Sequence, residues 1–135
     1  MTLTRALSIY AITLPIFFAI DLVWLGVVAK NFYRQHLGHL LGPQVNWGAA
    51  ILFYLLFIAG IVFFAVRPAL ETHSAMRALA YGAFFGFLAY ATYDLTNQAT
   101  MKNWPVLVTV IDLAWGTVLT ATVAFLSYQV SSRVL

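Results

Sequence analysis

The sequence has no cysteine and very few charged residues. The lack of cysteine among its 135 residues excludes disulfide bonds, thiolate nucleophiles and iron–sulfur clusters. Charged residues make up 8% of the chain, whereas a soluble domain carries about a quarter. Hydrophobic residues make up 63%, and the mean hydropathy is +0.90. The composition therefore predicts a protein whose solvent is lipid rather than water.

Several common motifs are also missing. No histidine falls within a long apolar run, so an axial ligand for a membrane-buried haem is lacking. No histidine stands at triad spacing from a serine, and no phosphate loop or dinucleotide fingerprint occurs. The net charge of +3 comes from scattered basic residues rather than from a patch suited to nucleic acid. We predict no cofactor and no nucleic-acid partner.

Long apolar runs predict an all-α integral membrane protein in the form of a four-helix bundle. The first run is longer than the apolar core of a signal peptide and contains an acid, so it is interpreted as a retained span. A short amphipathic helix on the membrane surface is expected between the first two spans. The whole chain is predicted to be one domain, 1–135, with spans at about 6–28, 47–66, 76–97 and 105–130 and the surface helix at about 31–41.

An even number of spans places both termini on one side of the membrane. Basic residues flank the spans, four on the side of the termini and three on the other: Arg5, Arg67, Arg77 and Arg133 against Lys30, Arg34 and Lys102. Under the positive-inside rule, this small excess favours cytoplasmic termini.

Three aspartates within the predicted spans are the main candidates for a function. Asp21 and Asp112 belong to near copies of one motif, Ile20–Trp24 and Ile111–Trp115, and Asp94 begins a third Asp-Leu pair. Counted from the adjoining loops at ~1.5 Å per residue, each acid lies roughly 10–14 Å inside its helix, on the same side of the membrane. An acid at the centre of a span costs ~2.5–3.5 kcal/mol. Three acids at one depth therefore predict a common site.

The predicted site handles a proton or binds a cation or small polar ligand. Asn97, one helical turn from Asp94, is expected to contribute to it, and Tyr90 and Trp115 are expected to form its walls. Trp24 is placed at the lipid–water interface, at a level different from that of Trp115. The alternative is that the acids only hydrogen-bond neighbouring side chains and hold the bundle together.

Other roles remain open on the sequence. One rival is a membrane enzyme that acts on a lipid or isoprenoid with an aspartate as general acid or base, although no catalytic residue can be assigned. Another is a structural or accessory membrane subunit. Four short helices leave little room for a complete pathway, so a homodimer or larger assembly is expected. Gly82 and Gly86, which allow close helix approach, would pack its copies together, although they could equally serve packing within one copy. His36 and His39 lack a third ligand, so no metal site is predicted.

Four stretches of the sequence carry a resemblance that covers essentially the whole chain. They are Ala19–Gly26, Lys30–Tyr33, Tyr90–Asn97 and Val110–Gly116. Together they resemble a bacterial family of small predicted membrane proteins known only as a domain of unknown function. The resemblance implies a four-span protein of the bacterial inner membrane. It implies no substrate, cofactor or catalytic residue.

Overall fold

Apolar segments of this length form helices because a helix satisfies its own backbone hydrogen bonds, which lipid cannot do. The computed structural model describes residues 1–135 and is all-helical without strands, so the predicted all-α class is confirmed. Two helices continue into π-helical segments, in which the backbone is wound slightly wider. The elements are α1 Leu3–Val23 with a π-segment Trp24–Val28, α2 Phe32–Leu37, α3 Trp47–Ile61 with a π-segment Val62–Val66, α4 Arg67–Glu71, α5 Ala75–Thr100 and α6 Val106–Val134.

Three helical stretches are long and apolar enough to cross a membrane: Leu3–Val28, Trp47–Glu71 and Val106–Val134. They correspond to the first, second and fourth predicted spans. α5 has 26 residues but is not among the three, because Arg77, Asp94 and interspersed glycine, tyrosine and threonine lower its hydropathy. The three apolar helices are sufficient to indicate a membrane protein.

The helix that begins at Trp47 extends further than the sequence predicted. Its expected end was residue 66, followed by a polar loop over 67–77. Instead, α4 continues directly from the preceding π-segment, and Pro68 lies in the first turn of α4. The π-segment before it changes the hydrogen-bond register of the helix, which accommodates a proline that lacks the N–H donor. The loop is thereby reduced to 72–74.

The segment predicted as a surface helix over 31–41 is helical only at Phe32–Leu37. Leu37 is buried and clusters with Trp104 and Val108 near the beginning of α6, and the aromatic residues of α2 pack against this cluster. A helix of six residues is too short to be stable alone in water. Its position is therefore set by its contacts with α6.

α5 and α6 pack with their backbones in close contact through glycines. A Cβ atom on Gly82 would lie 2.7 Å from the Thr120 carbonyl oxygen and 2.8 Å from the Ala124 Cβ, and a Cβ atom on Gly86 would collide with the backbone of Gly116. Of the two roles open to these glycines, the structure shows packing within the chain.

Phe17 anchors the interface between α1 and α3. Its side chain is fully buried, and its ring centroid lies 5.6 Å from that of Tyr54 and 5.9 Å from that of Phe57. Large apolar side chains also cover the outside of the molecule, where Leu56 and Phe84 are 64% and 65% exposed. An apolar exterior of this kind suits contact with lipid.

Candidate functional site

A cavity of about 460 Å³ lies among α1, α2, α3, α5 and α6. It contains two of the three aspartates predicted to share a site, Asp21 and Asp112. Both predicted wall residues, Tyr90 and Trp115, also line it. Most of the remaining wall is aromatic; the full lining is Asp21, Trp24, Leu25, Tyr33, Phe53, Tyr54, Ala89, Tyr90, Tyr93, Asp112 and Trp115.

Asp21 lies against side chains from two other helices. The indole Nε1 of Trp115, on α6, donates to Asp21 Oδ1 at 3.4 Å, and the Tyr54 phenol, on α3, lies beside this carboxylate. The side chain is 5% exposed. Asp21 is therefore a buried acid with only neutral donors around it.

Asp112 is held by a tyrosine from outside the long helices. The Tyr33 hydroxyl on α2 donates to Asp112 Oδ1 at 2.6 Å and accepts a hydrogen bond from Trp24 Nε1 at 3.0 Å. Burial, and then the adjacent carboxylate, raises the pKa of the Tyr33 phenol above its ordinary value. The phenol therefore keeps its proton and remains a donor to Asp112.

Trp24 and Trp115 stack on each other, which corrects the prediction that they lie at different levels. Their ring centroids are 4.3 Å apart and the ring planes differ by 9°. Side chains on a helix lean towards its N-terminus, and α1 and α6 run in opposite directions, so the two indoles lean towards each other. The prediction used only the Cα positions along each helix and did not include this lean of the side chains. Trp24 is therefore a wall of the cavity together with Trp115.

Asp94 lies next to the cavity but does not line it. It is fully buried, and neither of its carboxylate oxygens receives a hydrogen bond from a donor group. Its carboxyl group faces that of Asp112 within hydrogen-bonding reach, so a single proton can bridge the two acids. Asn97 is also away from the cavity, with its side chain near the Tyr93 hydroxyl.

No basic side chain neutralises these acids. The one ion pair in the structure joins Arg67 and Glu71, with a nitrogen–oxygen distance of 4.0 Å, at the opposite end of the helices from α2. The cavity lining contains no lysine, arginine or histidine. Buried charges are normally paired, so three acids without a basic partner require protons or a bound cation.

Sequence reasoning missed most of the aromatic wall. The predicted second span contains no charged residue that would indicate a site, but it supplies Phe53 and Tyr54 to the cavity. No pattern in that span distinguishes these two rings from the other aromatics. Tyr33 could have been found, because it closes the Lys30–Tyr33 stretch that carries part of the family resemblance.

The two histidines of the surface segment have structural partners. His36 Nδ1 lies 2.9 Å from the Phe32 carbonyl oxygen, and His39 Nε2 lies 3.1 Å from the Asn103 carbonyl oxygen. A carbonyl oxygen only accepts, so each ring nitrogen donates. No group of three or more histidines and acids could hold a metal ion.

The Tyr33→Phe variant should be measurably less stable than the wild type. The change removes the donor to Asp112 and leaves Trp24 Nε1 without its acceptor, which should cost about 1–3 kcal/mol because buried polar groups lose their partners. Thermal unfolding in detergent micelles measures the loss. Tyr81→Phe is the matched control, since the Tyr81 hydroxyl makes no hydrogen bond and its ring is 42% exposed. Equal losses in the two variants would contradict the role given to the Tyr33 hydroxyl.

A comparison with protein families tests the family resemblance that the sequence motifs suggested. The model of a family of predicted membrane proteins, DUF2177, matches residues 6–129. The chain belongs to this family. The match includes every residue that lines the cavity, so the site lies within the family's own domain. No curated protein and no solved structure was found to be similar to the chain.

Proposed function

We propose that this DUF2177 protein is a four-span inner-membrane protein that binds or translocates a proton, a cation or a small polar ligand. In this arrangement α1, α3 with α4, α5 and α6 cross the bilayer, and α2 lies at the membrane surface. The termini face the cytoplasm, in accord with the small excess of basic residues on their side. The ligand occupies the cavity and is bound by Asp21 and Asp112.

The observation that carries the proposal is the combination of a cavity and unneutralised acids. Asp21 and Asp112 line the cavity, their donors are neutral indole and phenol groups, and no basic side chain is near. In a lipid environment an isolated carboxylate is unfavourable unless a proton or cation compensates it. If the acids served only in packing, neighbouring side chains would be expected to fill the space around them, and no cavity would be left beside them.

Asp94 supplies a route for a proton. Because its carboxyl group is within hydrogen-bonding reach of Asp112, a proton displaced from Asp112 by an arriving cation can move to Asp94. Asp94 itself has no other donor or acceptor partner. The exchange of a proton with Asp112 explains why Asp94 is fully buried although it does not line the cavity.

The proposal is tested by thermal unfolding of the wild type and of the double variant Asp21→Asn/Asp112→Asn in neutral-detergent micelles. Each protein is measured from pH 5 to pH 8, and then with ammonium, potassium or sodium chloride at one ionic strength. The Tm of the wild type should depend on pH or on the cation, and the double variant should lose that dependence while still unfolding cooperatively. Glu71→Gln, which removes an exposed acid, should behave like the wild type.

Identical responses of the wild type and the double variant would contradict the proposal. If the double variant does not fold, the two single variants are measured instead, because each of them removes one acid and keeps the other. If every single Asn variant also failed to fold, the acids would be packing elements and the proposal would be wrong.

An enzyme acting on a lipid or isoprenoid is the second candidate. The observation that favours it is the apolar character of the cavity, of which nine of the eleven lining residues are hydrophobic. In that case the bridged Asp94–Asp112 pair would serve as the general acid. Incubation with membrane lipid extract followed by mass spectrometry separates the candidates, because an enzyme changes the lipids and a binding protein does not.

A further inference from the structure

The walls of the cavity indicate what kind of cation it would hold. Seven of the eleven lining residues are aromatic, with two tryptophans and four tyrosines among them. They come from five different elements of the fold, and the tertiary structure brings them together around this one cavity. The face of an aromatic ring attracts a cation through its quadrupole, and tryptophan and tyrosine do so most strongly among the uncharged side chains. Aromatic walls combined with acids favour a cation of low charge density.

An inorganic cation fits this cavity less well. Divalent metal ions take four to eight oxygen, nitrogen or sulfur ligands at short distances, and no group of three or more acids and histidines is present. The oxygens of Asp21 and Asp112 stand among apolar surfaces that cannot replace a hydration shell. An ammonium ion that carries carbon substituents has a weaker hydration shell and makes favourable contacts with the same surfaces.

The size of the cavity also suits an organic molecule. Its volume of about 460 Å³ falls within the roughly 300–1,000 Å³ of pockets that hold drug-sized ligands. A bare ion would leave most of that space empty. The hydrophobic part of a ligand would lie along Leu25 and Phe53, and its positive charge would lie near the two acids.

We propose that the cavity binds a lipophilic organic ammonium ion, with its charge between Asp21 and Asp112 and against the rings of Trp115 and Tyr90. This inference rests on the proposed function, of which it names the ligand class. The stacked rings of Trp24 and Trp115 form one wall of the site. The Tyr33 hydroxyl holds Asp112 in place by donating a hydrogen bond to it, and the Tyr54 phenol lies beside Asp21.

The test compares two ligands of the same shape on the wild-type protein. Benzyltrimethylammonium carries a permanent positive charge, and neopentylbenzene is its neutral carbon analogue. Binding to the protein in dodecyl maltoside is followed by tryptophan fluorescence, because Trp24 and Trp115 line the cavity. The detergent has to be free of choline headgroups, which would compete as quaternary ammonium ions. The ammonium compound should bind at least about 10-fold more tightly than the neutral analogue.

Variants then locate the binding. Asp21→Asn and Asp112→Asn should each weaken benzyltrimethylammonium binding about 10-fold or more, whereas Glu71→Gln should leave it unchanged. Trp115→Leu should weaken it while keeping the helix content by circular dichroism and a cooperative thermal transition. The wild-type comparison of the two ligands needs no variant, so misfolding of a variant does not affect it.

The outcomes separate the two proposals. Equal affinity for the charged and neutral compounds, or no binding of either, overturns the organic-ammonium inference. If the wild type nevertheless shows a Tm dependence on pH or inorganic cations that Asp21→Asn/Asp112→Asn removes, the proposed function stands with a smaller ligand. If that dependence is absent as well, both proposals are wrong.

Discussion

Replacing Gly86 by leucine should abolish stable folding of the protein. A side chain at this position has no space, because even its first carbon would collide with the Gly116 carbonyl group and the Thr120 side chain. The obstructing backbone belongs to α6 and cannot rotate away as a flexible side chain could. Overpacking of a close interface typically costs about 1–3 kcal/mol, and a four-carbon side chain against backbone should reach about 3 kcal/mol or more.

The result is measured by the monodisperse yield in detergent and by the Tm of whatever protein is recovered. Gly26→Leu is the matched control, since a Cβ atom on Gly26 meets nothing within 4 Å. This control should fold like the wild type, with its added side chain exposed to lipid or detergent. A stable and monodisperse Gly86→Leu protein would show that α5 and α6 do not pack as described.

Replacing Phe17 by alanine should give the second largest loss of stability. Phe17 is fully buried and packs against Tyr54 and Phe57, so its removal leaves a cavity between α1 and α3. Truncation of a buried phenylalanine costs about 3–5 kcal/mol in soluble proteins. In lipid the loss comes mainly from packing, because the lipid tails are themselves apolar, so we expect about 3 kcal/mol.

Phe84→Ala is the matched control for Phe17→Ala. The Phe84 side chain is 65% exposed, and detergent or lipid tails replace its outward contacts. Thermal unfolding should therefore show little change for Phe84→Ala and a large decrease in Tm for Phe17→Ala. A comparable decrease in both variants would mean that the face carrying Phe84 is buried in the protein's working state. The Phe17 variant should also weaken ligand binding, since Tyr54 would lose the ring that supports it beside Asp21.

The family was predictable because its motifs are local. The stretches around Asp21, Asp94 and Asp112 are each continuous in the sequence, and the family match over residues 6–129 confirms the resemblance that they suggested. The helical class and the three most apolar helices were predictable as well, because hydropathy is a property of each segment. The end of the second helix was not predictable from Pro68, since a π-segment before it allows the helix to continue.

The walls of the cavity could not be derived in the same way. Whether Tyr54 or another aromatic of the same span faces Asp21 depends on how α3 is rotated against α1, and a uniformly apolar helix carries no pattern that reveals its rotation. Tyr33 reaches Asp112 across 79 positions of the chain. Contacts of this kind arise only after the helices have packed.

Composition and local motifs were thus enough to identify an all-helical membrane protein of this family. They were also enough to single out its aspartates, because an acid within an apolar helix is unfavourable in lipid and therefore rare. The packed chain decided where those aspartates lie relative to one another. It brings Asp21 and Asp112 to one aromatic cavity, leaves Asp94 behind Asp112, and stacks Trp24 on Trp115. The physical reason is that helix rotation and side-chain lean are decided by contacts between helices, such as the one that Gly82 and Gly86 permit between α5 and α6.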